Sequence, residues 1–159
     1  MIRVCFVCLG NICRSPTASG IMRQLVSQEG LSAVISVESA GTGDWHVGQR
    51  PDARAIETAR RRGFTLPGLA QQFTLAHFER YDYVVAMDRT NRGALLAMAT
   101  DEISRGKVTL LRSFDPGSPE EAEVPDPYYG GPDGFEKVFE VCEASCRGLL
   151  RHLRDKHGL

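Results

Sequence analysis

Features that assign a chain to a large functional class are missing from these 159 residues. Neither charge is in excess, since 19 lysines and arginines face 20 aspartates and glutamates, for a formal net charge of -1. This balance argues against a broad nucleic-acid surface and against a polybasic membrane anchor. Internal repeats and low-complexity tracts are also lacking. We therefore expect neither a nucleic acid nor a membrane as a partner, and any basic site is local.

No hydrophobic run is long enough to cross a bilayer. The apolar segment 2–9 is too short, and Gly10 and Asn11 follow it where a signal peptide has a small-residue cleavage site. The five cysteines are odd in number and suggest no paired framework, which favours a reducing compartment. We therefore predict a cytoplasmic protein whose segment 2–8 is a buried strand.

The predicted architecture is a single α/β domain covering 1–159. Short apolar runs alternate with amphipathic helical patterns, which is typical of a parallel sheet with helices on both faces. The predicted strands are 2–8, 34–38, 81–87 and 108–111, and the predicted helices begin or lie near 15–30, 52–62, 74, 90–99 and 133. We expect an open parallel four-stranded sheet with a phosphate-binding loop after the first strand.

The most informative motif is the segment 7–16, Val-Cys-Leu-Gly-Asn-Ile-Cys-Arg-Ser-Pro. It places Cys8 and Arg14 at the two ends of a loop between a predicted strand and a predicted helix. Backbone N–H groups in such a loop converge on an anion, and the positive end of the helix dipole favours negative charge. A thiol there ionises readily, and an arginine fork matches two phosphoryl oxygens. The motif predicts a thiolate that attacks phosphate.

Other residues of the motif fit a tight phosphate cradle. Gly10 permits a close backbone approach, and Asn11 tolerates a left-handed conformation. Ser15 is a predicted N-cap of the helix, and its hydroxyl is also placed to donate to the sulfur of Cys8. The alternative, that Cys8 is only a small buried hydrophobe at a strand end, leaves the rest of the motif unexplained.

A phenolic leaving group needs a proton, and the sequence offers a carboxylic acid in a long loop. The stretch 113–132 has no predicted helix or strand, and loops of that length in compact domains are usually functional. Asp126 lies in this stretch between two prolines that stiffen the backbone, and two tyrosines follow. We predict that Asp126 is the general acid. The alternative is an Asp-Pro turn on the surface.

Together these motifs resemble the low molecular weight protein tyrosine phosphatases. The resemblance covers essentially the whole chain and rests on 7–16, Ser-Ala-Gly-Thr at 39–42, Trp-His-Val-Gly at 45–48, Met-Asp at 87–88 and Asp-Pro-Tyr-Tyr at 126–129. It implies hydrolysis of phosphotyrosine in a protein substrate through a phosphocysteine intermediate. It also implies inhibition by oxyanions such as phosphate or vanadate, with no cofactor and no metal.

The resemblance implies a role for each matching residue. Cys8 is the nucleophile, Arg14 binds phosphoryl oxygens, and Asp126 acts first as acid and then as base for water. The residues expected to shape the loop or bind substrate are Leu9, Gly10, Asn11, Ile12, Cys13, Ser15, Trp45, Tyr128 and Tyr129. Ser39 and Asp88 are expected to support the site.

The chain departs from the family at one position. Many members carry a histidine bonded to the loop asparagine, but residues 66–72 contain none, with Gly68 in the corresponding place. The resemblance therefore does not say what completes the hydrogen-bond support of Asn11.

Two other activities share this fold and loop. A thiol arsenate reductase needs further cysteines that relay a disulfide outward, but none occurs between Cys13 and Cys142. Cys142 and Cys146 lie one turn apart on an apolar stripe, which favours core packing. A phosphoarginine phosphatase resembles the chain too, but with threonine at the position of Ile12. Isoleucine favours contact with a phenyl ring, and hence phosphotyrosine.

Two non-enzymatic functions are compatible with parts of the sequence. A phosphopeptide-binding module has no need of a reactive thiolate or of a leaving-group acid. Cys5 and Cys8 have the spacing of half a zinc site, but the sequence has no second cluster. The sequence therefore favours an enzyme over a phosphopeptide-binding module or a zinc-binding domain.

The two cysteines of the loop predict redox sensitivity. Cys8 and Cys13 flank the same loop, so we expect a reversible disulfide that protects the nucleophile from irreversible oxidation.

Overall fold

Parallel strands form the centre of the protein. The computed structural model describes residues 1–129 and 131–159, apart from the side chains of Tyr129 and Pro132, and within them four strands form one sheet. These are β1 (Ile2–Cys8), β2 (Ile35–Gly41), β3 (Tyr83–Ala86) and β4 (Val108–Leu110). They lie in the order β2, β1, β3, β4, and each neighbouring pair is parallel. The predicted open four-stranded sheet is confirmed.

Helices cover both faces of the sheet. They are α1 (Arg14–Gln28), α2 (Ala53–Arg61), α3 (His77–Arg80), α4 (Arg89–Met98), α5 (Glu102–Gly106) and α6 (Gly134–His157), with 3-10 turns at Leu111–Phe114, Pro127–Tyr129 and Gly131–Asp133. Alternate residues of β1 face opposite sides. Phe6 packs with α1, α2 and α6, whereas Val7 packs with Phe78 and Leu95 of α3 and α4. Throughout the described chain, no helix is both long and apolar enough to span a membrane.

Most element boundaries lie within a few residues of the predicted ones. The predicted strand 81–87 is shorter because Tyr81 ends α3, its N–H bonding to the carbonyl of His77. Helix α5 was not predicted; Asp101 caps it by accepting from the Ser104 N–H at 2.7 Å. Cys142 and Cys146 are fully buried in the core, as predicted.

The carboxyl ends of the central strands define one edge of the sheet, where ligands bind in open α/β folds. β1 ends at Cys8 and α1 begins at Arg14, so the predicted phosphate loop, residues 8–14, lies at this edge. Gly41 ends β2 beside it, and a Cβ at Gly41 would come within 2.7 Å of the Leu9 carbonyl oxygen. A glycine at this position therefore lets β2 approach the phosphate loop closely.

Candidate active site

The phosphate loop curls around the sulfur of Cys8. Asn11 adopts the left-handed conformation, with φ of 58°, and its backbone N–H donates to Cys8 Sγ at 3.3 Å. Ser15 Oγ lies 3.0 Å from the same sulfur and accepts from Asn11 Nδ2 at 2.8 Å, so the Ser15 hydrogen is left to donate. The carbonyl of Ala40 competes for that hydrogen from 3.4 Å. Two donors therefore point at the sulfur of Cys8, a residue that is 3% exposed.

The side chain of Asn11 is fully hydrogen-bonded. Besides Ser15, its Nδ2 donates to Ser39 Oγ at 2.9 Å, and its Oδ1 accepts from the backbone N–H of Gln71 at 3.0 Å. The Gln71 side chain in turn donates to the Ser39 carbonyl at 3.0 Å. The backbone of Gln71 thus provides the contact to Asn11 that a histidine provides in many members of the family that the sequence resembles.

Arg14 opens α1 and is 7% exposed. Its Nη1 donates to Asp88 Oδ2 at 2.7 Å and to the Val124 carbonyl at 3.2 Å. Within the described part of the chain, Nε and Nη2 have no hydrogen-bond partner, which leaves that edge of the guanidinium for a phosphoryl group. Burial lowers the pKa of Arg14, but negative charge on Cys8, Asp88 and Asp126 raises it above its ordinary value. Arg14 is therefore cationic in the site.

Asp88 ties Arg14 to the sheet edge beyond β3. It is the N-cap of α4, where its Oδ1 accepts from the Asn91 N–H at 2.7 Å. Its other oxygen binds Arg14, so one carboxylate fixes both a helix start and the guanidinium.

A cleft of about 160 Å³ opens over the sulfur. It is lined by Cys8, Leu9, Gly10, Ile12, Cys13, Arg14, Trp45, His46, Asp126, Pro127 and Tyr128. The structure therefore brings the three predicted catalytic residues into one space, with aromatic side chains of Trp45 and Tyr128 at its mouth. These are 68% and 52% exposed, an arrangement that suits an aromatic ring entering from solvent.

Asp126 is oriented by the residue two positions further on. Its Oδ1 accepts from the backbone N–H of Tyr128 at 2.9 Å. Among the described residues, its Oδ2 has no hydrogen-bond partner. One carboxyl oxygen is thus held while the other remains for proton transfer in the cleft.

Tyr128 spans the cleft to the start of α2. Its hydroxyl donates to Asp52 Oδ2 at 3.0 Å and accepts from the Cys13 thiol at 3.5 Å. Burial raises the pKa of Cys13 to about 12, so this second cysteine of the phosphate loop stays protonated at neutral pH.

One detail of the predicted site differs in the structure, and one is not described by it. Ser15 was predicted as the N-cap of α1, which is wrong: Cys13 occupies the N-cap position, without a side-chain cap. The Ser15 hydroxyl is occupied by Asn11 and the sulfur of Cys8 instead. The predicted contact of the Tyr129 side chain with the cleft lies outside the described residues.

His46, within the motif 45–48, and Asp52, which was not predicted as part of the site, also belong to it. His46 lies over the phosphate loop, since a Cβ at Gly10 would come 3.0 Å from its Cδ2 atom. Asp52 donates its N–H to the Ile12 carbonyl at 2.7 Å. A Pro-Asp pair before a helical pattern predicts an N-cap, but only the tertiary structure brings it to the loop.

A larger cavity of about 450 Å³ lies behind the phosphate loop, on the side of Asn11, Ser39 and Gln71. Cys8, Arg14 and Asp126 do not line it. The smaller cleft is therefore the candidate active site, because it alone of the two contains the nucleophile, the cation and the acid.

The two cysteines with zinc-like spacing face opposite sides of the sheet. Cys8 packs with the α1 and α6 layer, and Cys5 with the α3 and α4 layer. They are therefore unable to ligate one ion together. Over the residues that the structure covers, no group of three or more His, Cys, Asp or Glu side chains is arranged to hold a metal.

Comparison with known proteins identifies the family. A family model described as low molecular weight phosphotyrosine protein phosphatase matches residues 3–158. A Streptomyces coelicolor protein named low molecular weight protein-tyrosine-phosphatase is 46% identical, covering 97% of this chain and 94% of its own. Among solved structures, an Entamoeba histolytica protein tyrosine phosphatase has a TM-score of 0.92 at 34% identity, covering 99% of both chains. A Drosophila arginine phosphatase has a TM-score of 0.88 at 33% identity, covering 96% of this chain and 98% of its own. The chain belongs to the low molecular weight phosphotyrosine protein phosphatase family.

Proposed function

We propose that the protein hydrolyses phosphotyrosine in protein substrates through a phosphocysteine intermediate. The observation that carries the proposal is the environment of the Cys8 sulfur. It receives two hydrogen bonds, from Asn11 and Ser15, and faces a cleft shared with Arg14 and Asp126. Nucleophile, phosphoryl-binding cation and acid are the three parts that this reaction requires.

In the first step the Cys8 thiolate attacks phosphorus. The sulfur–phosphorus bond forms as the bond from phosphorus to the phenolic oxygen breaks. The Nε and Nη2 edge of Arg14 and the loop N–H groups stabilise charge on the phosphoryl oxygens. Asp126, protonated at this stage, gives its proton to the phenolic oxygen, so tyrosine leaves neutral.

In the second step water replaces cysteine. Asp126 is now a carboxylate and takes a proton from the attacking water, whose oxygen bonds to phosphorus as the bond from phosphorus to sulfur breaks. Inorganic phosphate leaves, and Cys8 is again a thiolate. Ser15 donates to the sulfur as it regains negative charge, which favours its departure.

The aromatic ring of the substrate is held by apolar groups around the phosphate loop. Leu9, Ile12, Trp45 and Tyr128 line the cleft, whereas Ser39 and Asp88 act from behind by holding Asn11 and Arg14. Gly10 and Cys13 contribute loop backbone. We further propose Tyr129 as part of the same wall.

Hydrolysis of an aryl phosphate in EDTA tests the proposal. We expect the wild type to turn over and vanadate to block it, because a vanadate oxyanion fits the same donors. Cys8→Ser should lack turnover but still bind vanadate. Turnover by Cys8→Ser comparable to the wild type would refute the assignment of the nucleophile.

Phosphoarginine is a second candidate substrate, favoured by the likeness to the Drosophila arginine phosphatase. Ile12 lines the cleft and presents an aliphatic surface, which supports an aryl substrate over a guanidinium. Comparing kcat/KM for phosphotyrosine and phosphoarginine in the same peptide decides between them. A higher value for phosphoarginine would overturn the tyrosine proposal while leaving the cysteine mechanism in place.

We also propose a cytoplasmic location. All five cysteines are unpaired, including those in the core, which fits a reducing compartment. The proposed substrates are phosphoproteins. The proposed inhibitors are phosphate and vanadate, oxyanions that would bind in the cleft.

A further inference from the structure

The amino end of α2 contacts the phosphate loop directly. Asp52 is the N-cap of this helix: its Oδ1 accepts from the Arg54 N–H at 2.8 Å. Its own backbone N–H donates to the Ile12 carbonyl at 2.7 Å. The position of Asp52 relative to the loop is therefore fixed through the main chain.

The same residue reaches the segment that carries the general acid. Asp52 Oδ2 accepts from the Tyr128 hydroxyl at 3.0 Å, and the Tyr128 N–H donates to Asp126 Oδ1 at 2.9 Å. Three hydrogen bonds thus connect the Ile12 carbonyl, through Asp52 and Tyr128, to the carboxyl of Asp126. Ile12 and Asp126, at the two ends of this series of hydrogen bonds, both line the active-site cleft.

Arg54 holds the link together from outside. It donates to both oxygens of Asp52, at 3.1 and 3.0 Å, and its guanidinium lies 4.9 Å from the centre of the Tyr128 ring. Burial raises the pKa of Asp52, but hydrogen bonds from Arg54 and Tyr128 lower it below its ordinary value. A carboxylate only accepts hydrogen bonds, so the Tyr128 hydroxyl is the donor.

The link matters because half of the Tyr128 side chain is exposed, and its ring contacts only Arg54 and Phe135 by stacking or edge packing among the described aromatic contacts. The backbone next to Asp126 is fixed on its far side, where α6 begins. Gly134 packs on Pro127 so closely that a Cβ there would overlap the Pro127 carbonyl oxygen. Helix α6 thus limits the backbone, and the tyrosine hydroxyl fixes the remaining orientation.

We propose that Asp52 is a positioning residue for the general acid. By holding the Tyr128 hydroxyl, it aligns the tyrosine N–H that orients Asp126 over the phosphate loop. This inference rests on the proposed function, in which Asp126 protonates the leaving group. A residue that only capped α2 would affect stability and would not affect proton transfer.

The test compares two substrates that differ in their need for an acid. Phenyl phosphate has a poor leaving group, whereas a dinitrophenyl phosphate leaves with little help from an acid. Tyr128→Phe removes only the hydroxyl, and Asp52→Ser keeps an N-cap side chain that is too short to reach Tyr128. The quantity measured is kcat/KM, which reports phosphoryl transfer to cysteine whichever later step limits turnover.

We expect each variant to lose about 10-fold in kcat/KM on phenyl phosphate and under about 3-fold on dinitrophenyl phosphate, because misplacing a catalytic group slows the step it serves. The double variant should lose no more than the worse single one, because both act through one hydrogen bond. Glu57→Gln is the matched control: it removes a carboxylate from an ion pair on the same helix without touching either loop. It should leave kcat/KM unchanged on both substrates.

Equal losses on both substrates, or losses in the double variant that multiply, would overturn the inference. If Asp52→Ser does not fold, Tyr128→Phe alone decides, by its loss in kcat/KM on phenyl phosphate relative to its loss on dinitrophenyl phosphate. Asp126→Ala, measured in parallel, separates the two proposals. If it shows the leaving-group effect and the Asp52 and Tyr128 variants do not, only the positioning role fails. If Asp126→Ala itself shows none, the proposed acid is wrong.

Discussion

The phosphate loop and the segment that carries Asp126 are built in different ways. In the phosphate loop, Cys8, Asn11, Cys13 and Arg14 are buried, and the side chain of Asn11 is hydrogen-bonded at both its oxygen and its nitrogen. In the acid segment, residues 115–128, only Val124 and Pro127 are buried, and the segment is anchored at separate points. One is Val124, whose N–H bonds the Met87 carbonyl beyond β3; another is the Tyr128 hydroxyl.

The difference suggests a division of labour between binding and proton transfer. A loop held by buried side chains and their hydrogen bonds presents its donors without reorganisation, which is what stabilising a phosphoryl group requires. The acid segment is held at discrete points, among them Glu123 and Val124, and we expect the position of Asp126 to depend on them. Substitutions in the loop should therefore affect chemistry and folding together, whereas those in the acid segment should affect proton transfer alone.

The largest effect is expected at the nucleophile. Cys8→Ser should lower kcat by more than about 10⁴-fold, because a serine hydroxyl at this position has no base to activate it. The loop donors and Arg14 remain, so the affinity for vanadate, measured by calorimetry, should change little. A large loss of vanadate affinity would contradict a preformed anion site.

The next largest effect is expected at Asp126. Asp126→Ala should lower kcat/KM on phenyl phosphate by about 10²- to 10⁴-fold, in line with general acid catalysis, and much less on an activated aryl phosphate. Thermal unfolding should be nearly unchanged, because the side chain is partly exposed and bonded to one N–H. A marked fall in the melting temperature would show that the acid segment is as integrated as the phosphate loop.

Substitution of Asn11 should lower the stability of the protein as well as its activity. Asn11→Gly removes the side chain that binds Ser15, Ser39 and Gln71, and we expect it to lower the free energy of unfolding by about 1–3 kcal/mol. Asn11→Ala should cost roughly 1 kcal/mol more, because alanine resists the left-handed backbone that glycine accepts. Urea unfolding of the two variants measures the difference. Equal stabilities would argue against a strained loop.

The smallest effect should appear only under oxidation. Peroxide converts the Cys8 thiolate to a sulfenic acid, which condenses with the Cys13 thiol to a disulfide and water. The raised pKa of Cys13, about 12, keeps that thiol protonated, so we expect peroxide to react first with Cys8. After peroxide, a thiol reductant should restore activity to the wild type but not to Cys13→Ser, each relative to its own untreated rate. Equal recovery would disprove the protective disulfide.

The local sequence was enough to predict the phosphate loop and the family. The strand before Cys8, the turn residues and the helix after Arg14 are contiguous, so their juxtaposition does not depend on the rest of the fold. The predicted sheet and family are confirmed, whereas the roles of individual residues stay predictions. Ser15 was misassigned as an N-cap because a neighbouring side chain, Asn11, and a sulfur compete for its hydroxyl.

Contacts between distant segments could not be predicted from the sequence. Asp52 and Tyr128 are 76 residues apart, and nothing in either motif indicates that their side chains meet. The support of Asn11 by the Gln71 N–H is equally invisible, since a backbone donor has no sequence signature. The anchors of the acid segment are of this long-range kind, which is why they emerged only from the structure.

Trapping the covalent intermediate tests the central claim most directly. Asp126→Ala, mixed with an activated aryl phosphate and quenched in time, should accumulate the phosphoenzyme, because the base for water is gone. Peptide mapping by mass spectrometry should then find one phosphoryl group on Cys8, and none when the same experiment is run with Cys8→Ser. A phosphoryl group on another residue, or turnover without any labelled cysteine, would contradict the account.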